Sequence, residues 1–387
     1  MVYGAEAVKP QFKRILAVKL ADLGDLLAVT PALQAIRAAH PSAQIDLLVP
    51  PASAELLGDA PFIDRIITFD KFAFDSLRSV LNPLSVARSF LFLLKLRRTR
   101  YDAVAIFHHF TMRWGAVKFA MLALATGAKI RAGLDNGRGL FLSRRVADTG
   151  FGAMHEIDYW LQVASLLGAD PYGGWRPKLP VSQADREEAG TLLASLGGNN
   201  GPLVAVHPGA GAYSRARIWP VEGFGEVARN LIRAYNARIV IVGGPDEVDS
   251  AAKLESLIGE GVVLNLAGRT GIHETAAVLE RCDLFVGNDS GPMHIAAAMG
   301  VPVVAIFGPS NSQAWGPYTP PLENSKHRIV SRDLPCMPCF YRHHSLGLRE
   351  GCGPRPCLTG LSASAVLTAC GDMLKVLPSI NDRRMYK

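Results

Sequence analysis

Short, continuously apolar runs alternating with helical stretches restrict the fold of this sequence more than any other feature. Arg14 to Leu20 (RILAVKL) opens the series, a Gly-containing turn follows, and a helical pattern runs from Leu26 to Ala39. Ile45 to Val49, Ile63 to Phe69, Ala103 to Phe107 and Lys129 to Gly133 repeat the strand pattern with helical stretches between them. Strands apolar on both faces must be covered on both faces, and helices joining parallel strands supply that cover. Asp170 to Pro180 (DPYGGWRPKLP) then breaks the series, as a Pro- and Gly-rich linker does. The pattern restarts with Leu203 to His207, Arg238 to Val242, Val262 to Leu266, Leu284 to Gly287 and Val301 to Phe307, each leading into a Gly-bearing loop. Two successive doubly wound α/β domains are therefore expected, at residues 1–178 and 179–361. A tail of residues 362–387 carries a helix, Ser362 to Val376, that is expected to pack back across the first domain. Ligands of open parallel sheets collect at the carboxyl ends of the strands. Two such sheets facing each other would place one ligand on each side of a cleft.

Of the 387 residues, 49% are hydrophobic and 19% charged, which excludes a disordered chain. The formal charge of +7 suits an acidic substrate, a membrane surface or nucleic acid alike. No stacking aromatics interleave a basic stripe, so nucleic acid is not expected as a partner. The start of the chain lacks the apolar core of a signal peptide. The nearest approach to a membrane-active segment is Leu84 to Leu96, interrupted by Arg88 and Lys95 and followed by Arg97, Arg98 and Arg100. It reads either as an ordinary surface helix or as a basic amphipathic face resting on an anionic inner leaflet. A cytoplasmic protein, in peripheral contact with the cytoplasmic face of the inner membrane, is the expectation.

Four constellations can carry chemistry. Asp22-Leu23-Gly24-Asp25 closes the first strand and opens the first helix. Asp25 falls at or beside the helix N-cap, where a carboxylate serves stability alone, or serves as a general base aided by the helix dipole. His207-Pro208-Gly209-Ala210-Gly211 follows the first strand of the second series, then Ser214, Arg215, Arg217 and Trp219. Small residues there let backbone N–H groups approach an anion, and the arginines can pair with a diphosphate. Trp219 reads as a packing residue or a base-stacking platform. Gly243 to Glu247 is a turn before a helix, where the carboxylate of Glu247 can instead hold ribose hydroxyls. Most informative is Gly287-Asn288-Asp289-Ser290-Gly291-Pro292-Met293-His294, a strand and polar turn running into a helix. That arrangement binds phosphate at a helix N-terminus, with Ser290 and the N–H groups of Gly291, Met293 and His294 as donors. Pro292 suits the first helical turn. Capping is the plainer account of Asp289 and Ser290.

These segments resemble the lipopolysaccharide heptosyltransferases, glycosyltransferase family 9. LADLGDLLAVTPAL is similar to the family's opening, and HPGAGAYSRARIWP and NDSGPMHIAAAMGVPVVAIFGPS are similar to its two donor-side motifs. The resemblance covers nearly the whole chain. It implies a GT-B fold with acceptor on the N-terminal domain and nucleotide-sugar donor, by default ADP-heptose, on the C-terminal one. It also implies inversion by direct displacement without a catalytic metal, and a lipid-linked or glycan acceptor. The resemblance puts the base at Asp25 and the acceptor-side loop at Gly24. It puts the donor-sugar contact at Asp289, the phosphate turn at Ser290 to His294, the ribose contact at Glu247, and the adenine near Thr270. Family members commonly carry Lys two residues before the Trp-Pro pair; here that position is Arg217, whose planar fork is wider. The alternatives are a sugar-nucleotide epimerase of the same build, or an inactive glycan- or nucleotide-binding relative.

Four of the six cysteines form Cys336-x2-Cys339-x12-Cys352-x4-Cys357, a spacing suited to a structural zinc or iron. Four reduced thiols in a Pro-rich loop are the other reading.

Overall fold

The computed structural model describes residues 11–69, 82–196, 201–211, 215–259, 263–321 and 323–376. The chain divides into two compact units. One runs to Gly150 and resumes over Glu156–Trp175; the other holds Phe151–His155 and the chain from Arg176. The expected boundary at 178/179 misses this short exchange. Phe151 belongs with the second unit because its N–H donates to the His343 carbonyl and its own carbonyl accepts from Asn311.

The first unit is built on β1 (Arg14–Val18), β2 (Gln44–Val49), β3 (Arg65–Thr68), β4 (Ala103–Ile106), β5 (Ile130–Asp135) and β6 (Arg144–Ala147). All neighbours are parallel, in the order β3-β2-β1-β4-β5-β6. Ile15 to Val18 and all of β4 are fully buried, as a sheet covered on both faces requires. Leu16 and Val18 point into a core shared with Leu96, Phe119 and Leu122 from the helices Pro83–Thr99 and Arg113–Thr126. On the alternate face Lys19, in register with Ala17, lies over the ring of Trp160 in the helix Glu156–Ser165.

The second unit repeats the winding with β7 (Leu203–His207), β8 (Arg238–Ile241), β9 (Val263–Asn265), β10 (Leu284–Asn288), β11 (Val303–Ile306) and β12 (His327–Val330), in the order β12-β11-β10-β7-β8-β9. Here too every pairing is parallel. In each sheet the strand order reverses once, between β1 and β4 and between β7 and β10. At such a switch point the loops leave the carboxyl edge in opposite directions and open a crevice.

Two expectations need correction. The single helical pattern Leu26 to Ala39 is two helices, Leu23–Leu27 and Thr30–Ala39, with Pro31 opening the second. The strands β6 and β12 complete the sheets beyond the five expected in each. The terminal helix Ala363–Val376, expected across the first domain, packs within the second unit. Its Val366, Cys370 and Met373 recur at helical spacing and enter the core of the second unit beside Leu231, Ile239 and Leu284.

Candidate active site

The crevice between β1 and β4 holds an ionic chain. Asp25 lies in the first turn of the helix Leu23–Leu27, whose N-cap is Asp22 with no side-chain capping bond. The capping account of Asp25 therefore fails. Its Oδ1 lies 3.0 Å from Nζ of Lys19, which is 2% exposed, while Asp25 is 33% exposed. The ammonium is thus buried and held on one side by the Trp160 ring, 4.4 Å away, leaving the carboxylate toward solvent. Gly24 sits in the same turn, its carbonyl accepting the Ala28 N–H. Nothing in the strand pattern marks Lys19; a lysine ending a buried strand is the signal that could have found it.

Beyond Trp160 lies a second charged group. The His109 ring meets Trp160 edge-on with centroids 5.3 Å apart. Its Nδ1 is 3.0 Å from Asp148 and its Nε2 3.1 Å from Glu156, all three side chains being almost fully buried. Burial alone would drive this imidazole toward neutrality, but the Glu156 and Asp148 carboxylates outweigh it and raise its pKa to about 9. Asp148 also accepts the Gly150 N–H and the Asn136 amide, so the group ties the loop after β4 to β5, β6 and the following helix.

The crevice between β7 and β10 gathers most of the predicted donor-side residues. Asn288, fully buried at the end of β10, donates to the carbonyls of Pro208 and Gly209 and accepts the Trp219 N–H, fixing the loop that follows β7. Trp219 is a packing residue: it is buried, meets Phe224 edge-on and donates through its indole N–H to the Leu361 carbonyl. Arg217 reaches Asp289 Oδ2 at 3.3 Å and donates to the Ala210 carbonyl at 3.0 Å. Both partners are nearly buried, at 13% and 4% exposure. The residue expected on the diphosphate is thus paired with the residue expected on the sugar.

Ser290 is the N-cap of the helix Gly291–Ala298 but makes no side-chain capping bond. Its hydroxyl lies 3.0 Å from His207 Nδ1, and His207 Nε2 lies 2.8 Å from Glu247 Oε2. Glu247 also accepts the N–H groups of Gly211 and Gly244. Burial raises a carboxyl's pKa, yet the His207 hydrogen bond and charge, with the two backbone donors, hold Glu247 down at about 2. Three internal donors thus brace this carboxylate, whose side chain keeps 12% exposure. A side chain at Gly209 would collide with it, which is why that loop position takes glycine. Pro292 opens the helix as expected, Met293 turns its side chain into the core, and the His294 N–H donates to the Ser290 carbonyl. The Thr270 hydroxyl pairs with that of Thr275 beyond the carboxyl end of β9. Ser214 lies outside the described residues.

Residues 92–349 match the model of "Glycosyltransferase family 9 (heptosyltransferase)". The chain belongs to glycosyltransferase family 9. The expectation of a glycosyltransferase is met at the level of that family. Among its relatives, the lipooligosaccharide heptosyltransferase 2 of Campylobacter jejuni is 31% identical over 46% of this chain, a match spanning only 52% of that protein. The lipopolysaccharide core heptosyltransferase OpsX of Haemophilus influenzae is 25% identical over 82% of this chain and 84% of its own. The fold matches the structure of E. coli ADP-heptose LPS heptosyltransferase II with a TM-score of 0.67 and 21% identity, covering 94% of this chain and 98% of that one. The two doubly wound units are thus those of the GT-B class.

The family's match extends into the cysteine segment. Cys336, Cys339 and Cys352 are exposed and Cys357 is buried, all as free thiols. Burial raises the Cys357 thiol, and so does the proximity of Cys339, Cys352 and Cys336, so the four thiols form one neighbourhood. Among the described residues no three His, Cys, Asp or Glu side chains converge closely enough to hold a metal ion.

Proposed function

We propose that this chain transfers a heptose from ADP-heptose to a lipopolysaccharide core or other cell-surface glycan, with inversion at the anomeric carbon. One observation carries the reading: in a chain of this family, a solvent-facing carboxylate with a buried lysine partner stands at one switch point, and an arginine–aspartate pair beside a helix N-terminus stands at the other. Asp25 takes the proton of an acceptor hydroxyl as the oxygen attacks the anomeric carbon. The bond to the diphosphate breaks, and ADP leaves with increased negative charge. Arg217 and the N–H groups opening the helix Gly291–Ala298 stabilise that charge, and no step calls for a metal. Asp289 contacts the donor sugar, and its pairing with Arg217 holds both groups ready for the donor. Glu247 and Thr270 flank the nucleoside; Glu247 acts through the loop it braces at Gly211 and Gly244. The acceptor is lipid-linked, and the protein works at the cytoplasmic face of the inner membrane.

Incubation with ADP-heptose and a heptose-deficient lipopolysaccharide should yield one new glycosidic bond of inverted configuration, read by NMR. Conversion of ADP-heptose without any acceptor would instead favour the epimerase reading. Arg217→Gln should raise the KM for the donor by roughly tenfold to a hundredfold, the range of one or two hydrogen bonds to a charged group. Arg217→Lys should restore most of it, and an unchanged KM in the glutamine variant would remove Arg217 from the phosphates.

The spacing Cys336-x2-Cys339-x12-Cys352-x4-Cys357 suits a structural zinc or iron bound as thiolates, and binding would have to draw together thiols that do not converge in the structure. Such a metal clips the loop carrying Cys336 to Cys357 and takes no part in transfer. Protein purified anaerobically should carry about one metal per chain, by elemental analysis; protein free of zinc and iron would dismiss the clip.

A further inference from the structure

The helix Arg113–Thr126 is apolar on two sides. Ala116, Phe119, Leu122 and Ala123 are buried against the sheet, while Trp114, Val117, Met121 and Leu124 are exposed at 62%, 45%, 57% and 54%. The exposed four recur at steps of three and four residues, so they form one stripe along the outer face. The neighbouring helix Pro83–Thr99 adds exposed Leu84, Phe90 and Leu91 in its first half and exposed Lys95, Arg97 and Arg98 in its second. Arg97 lies against Gly127, at the end of the other helix, so the two helices run side by side with their C-terminal ends together. An apolar surface of this extent on two packed helices marks an interaction site.

Charge decides the occupant. From Pro83 to Leu134 the only acidic residue is Asp102, and its carboxylate already accepts the N–H groups of Lys13 and Arg14. The two helices themselves carry Arg88, Lys95, Arg97, Arg98, Arg113 and Lys118 and no acid. Two copies joined through this face would set like charges against each other. A bilayer with anionic headgroups matches both the apolar stripe and the basic surround. The basic end also borders a cavity of about 400 Å³, lined by Arg14, Arg65, Lys95 and Arg98 with Leu91 and Leu94. Cations over aliphatic walls suit a lipid phosphate above its acyl chains.

We infer that the paired helices Pro83–Thr99 and Arg113–Thr126 are a docking face for an anionic lipid bilayer, Trp114, Val117, Met121 and Leu124 entering the interface and the lysine and arginines gripping headgroup phosphates. Both helices begin at the carboxyl edge of the sheet, the edge that carries Asp25. The end of the face that holds Leu84 and Trp114 therefore lies nearest that edge, and the end that holds Lys95 and Arg98 lies nearest the opposite one. The inference deepens the proposed reaction by saying how a lipid-linked acceptor is met, but vesicle binding is read without catalysis, so the two can fail separately.

The full-length protein should co-sediment with vesicles containing phosphatidylglycerol and only weakly with pure phosphatidylcholine. The double variant Trp114→Ser/Met121→Ser should bind on the order of a hundredfold more weakly. Lys95→Gln/Arg98→Gln should lose about fivefold per charge removed and become less salt-sensitive. Both should keep the parent's melting temperature and its turnover of a short water-soluble acceptor. Equal binding to the two vesicle types, binding by the double variants at the parent's level, or no vesicle binding at all would each overturn the docking face. So would a concentration-dependent dimer abolished by Trp114→Ser/Met121→Ser, which would make a second copy the occupant.

Discussion

Asp25→Asn should lower kcat by about a thousandfold or more while the ADP-heptose dissociation constant stays within about twofold, because general-base catalysis contributes roughly 10²–10⁴ in rate. The substitution suits the question because it keeps the shape of the side chain. An asparagine carbonyl can still accept from the Lys19 ammonium, so that buried charge keeps a partner and the fold is not the thing under test. The amide cannot take a proton from an attacking hydroxyl. Donor binding depends on residues of the other unit and should not move. Lys19→Met should also be slow, since Lys19 holds the carboxylate without touching the reactants; it is a positioning residue. Its signature is partial rescue by Lys19→Arg, which Asp25→Asn does not allow. Isothermal titration with ADP-heptose in the absence of acceptor, and initial rates with saturating acceptor, separate the two effects. If Asp25→Asn turns over within tenfold of the parent, the proton leaves by another route and the assignment fails.

Much of the scaffold was readable from residues alone because a parallel sheet advertises itself. Ile15 to Val18, Val204 to Val206 and Val303 to Ile306 are apolar at every position, and only a strand covered on both faces asks for that. The strands that escaped notice, β6 and β12, are sheet edges. Their sequences RRVA and HRIV mix charge with apolar residues and are only partly buried, so periodicity carries no signal. The polar turns at Asp25 and Asp289 were visible as positions at strand ends, but not in what their side chains do. Asp25 and Ser290 both suit a cap by residue type, yet the first pairs with Lys19 and the second with His207. Those partners come from the strand before the turn and from a strand 83 residues away in sequence. Local propensity speaks to neither. For Glu247 the local donor Gly244 is legible as a helix cap, but His207 at the end of β7 and Gly211 in the loop after it arrive only once the sheet is wound.

The largest stability effect should come from His109, which no motif marked. Its partners lie 39 and 47 residues further along, and only the closing of β4, β5 and β6 brings them together. Removing the ring in His109→Gln leaves the Asp148 and Glu156 carboxylates buried without a cation, which should cost about 3–5 kcal/mol. The pH dependence gives a sharper test. The folded pKa, about 9, lies above the ordinary histidine value of 6.5. The folded state therefore holds this proton more tightly than the unfolded chain does. The stabilisation is fully present below pH 6.5 and is lost as pH rises through 9, by up to about 3 kcal/mol in total. Other perturbed groups act outside that window. Glu247, held down at about 2, contributes stability that is lost only as the solution turns acid, and His327, lowered to about 4 chiefly by burial, costs stability as pH falls below 6.5. Cys370, pushed up to about 12 by burial, costs stability only above pH 9. Urea unfolding between pH 6.5 and 9 should thus show the parent weakening steadily while His109→Gln stays nearly level. A parent whose midpoint is flat across that interval would mean that the imidazole between Asp148 and Glu156 is not charged, and the ionic knot behind the β4 loop would have to be redrawn as a neutral one.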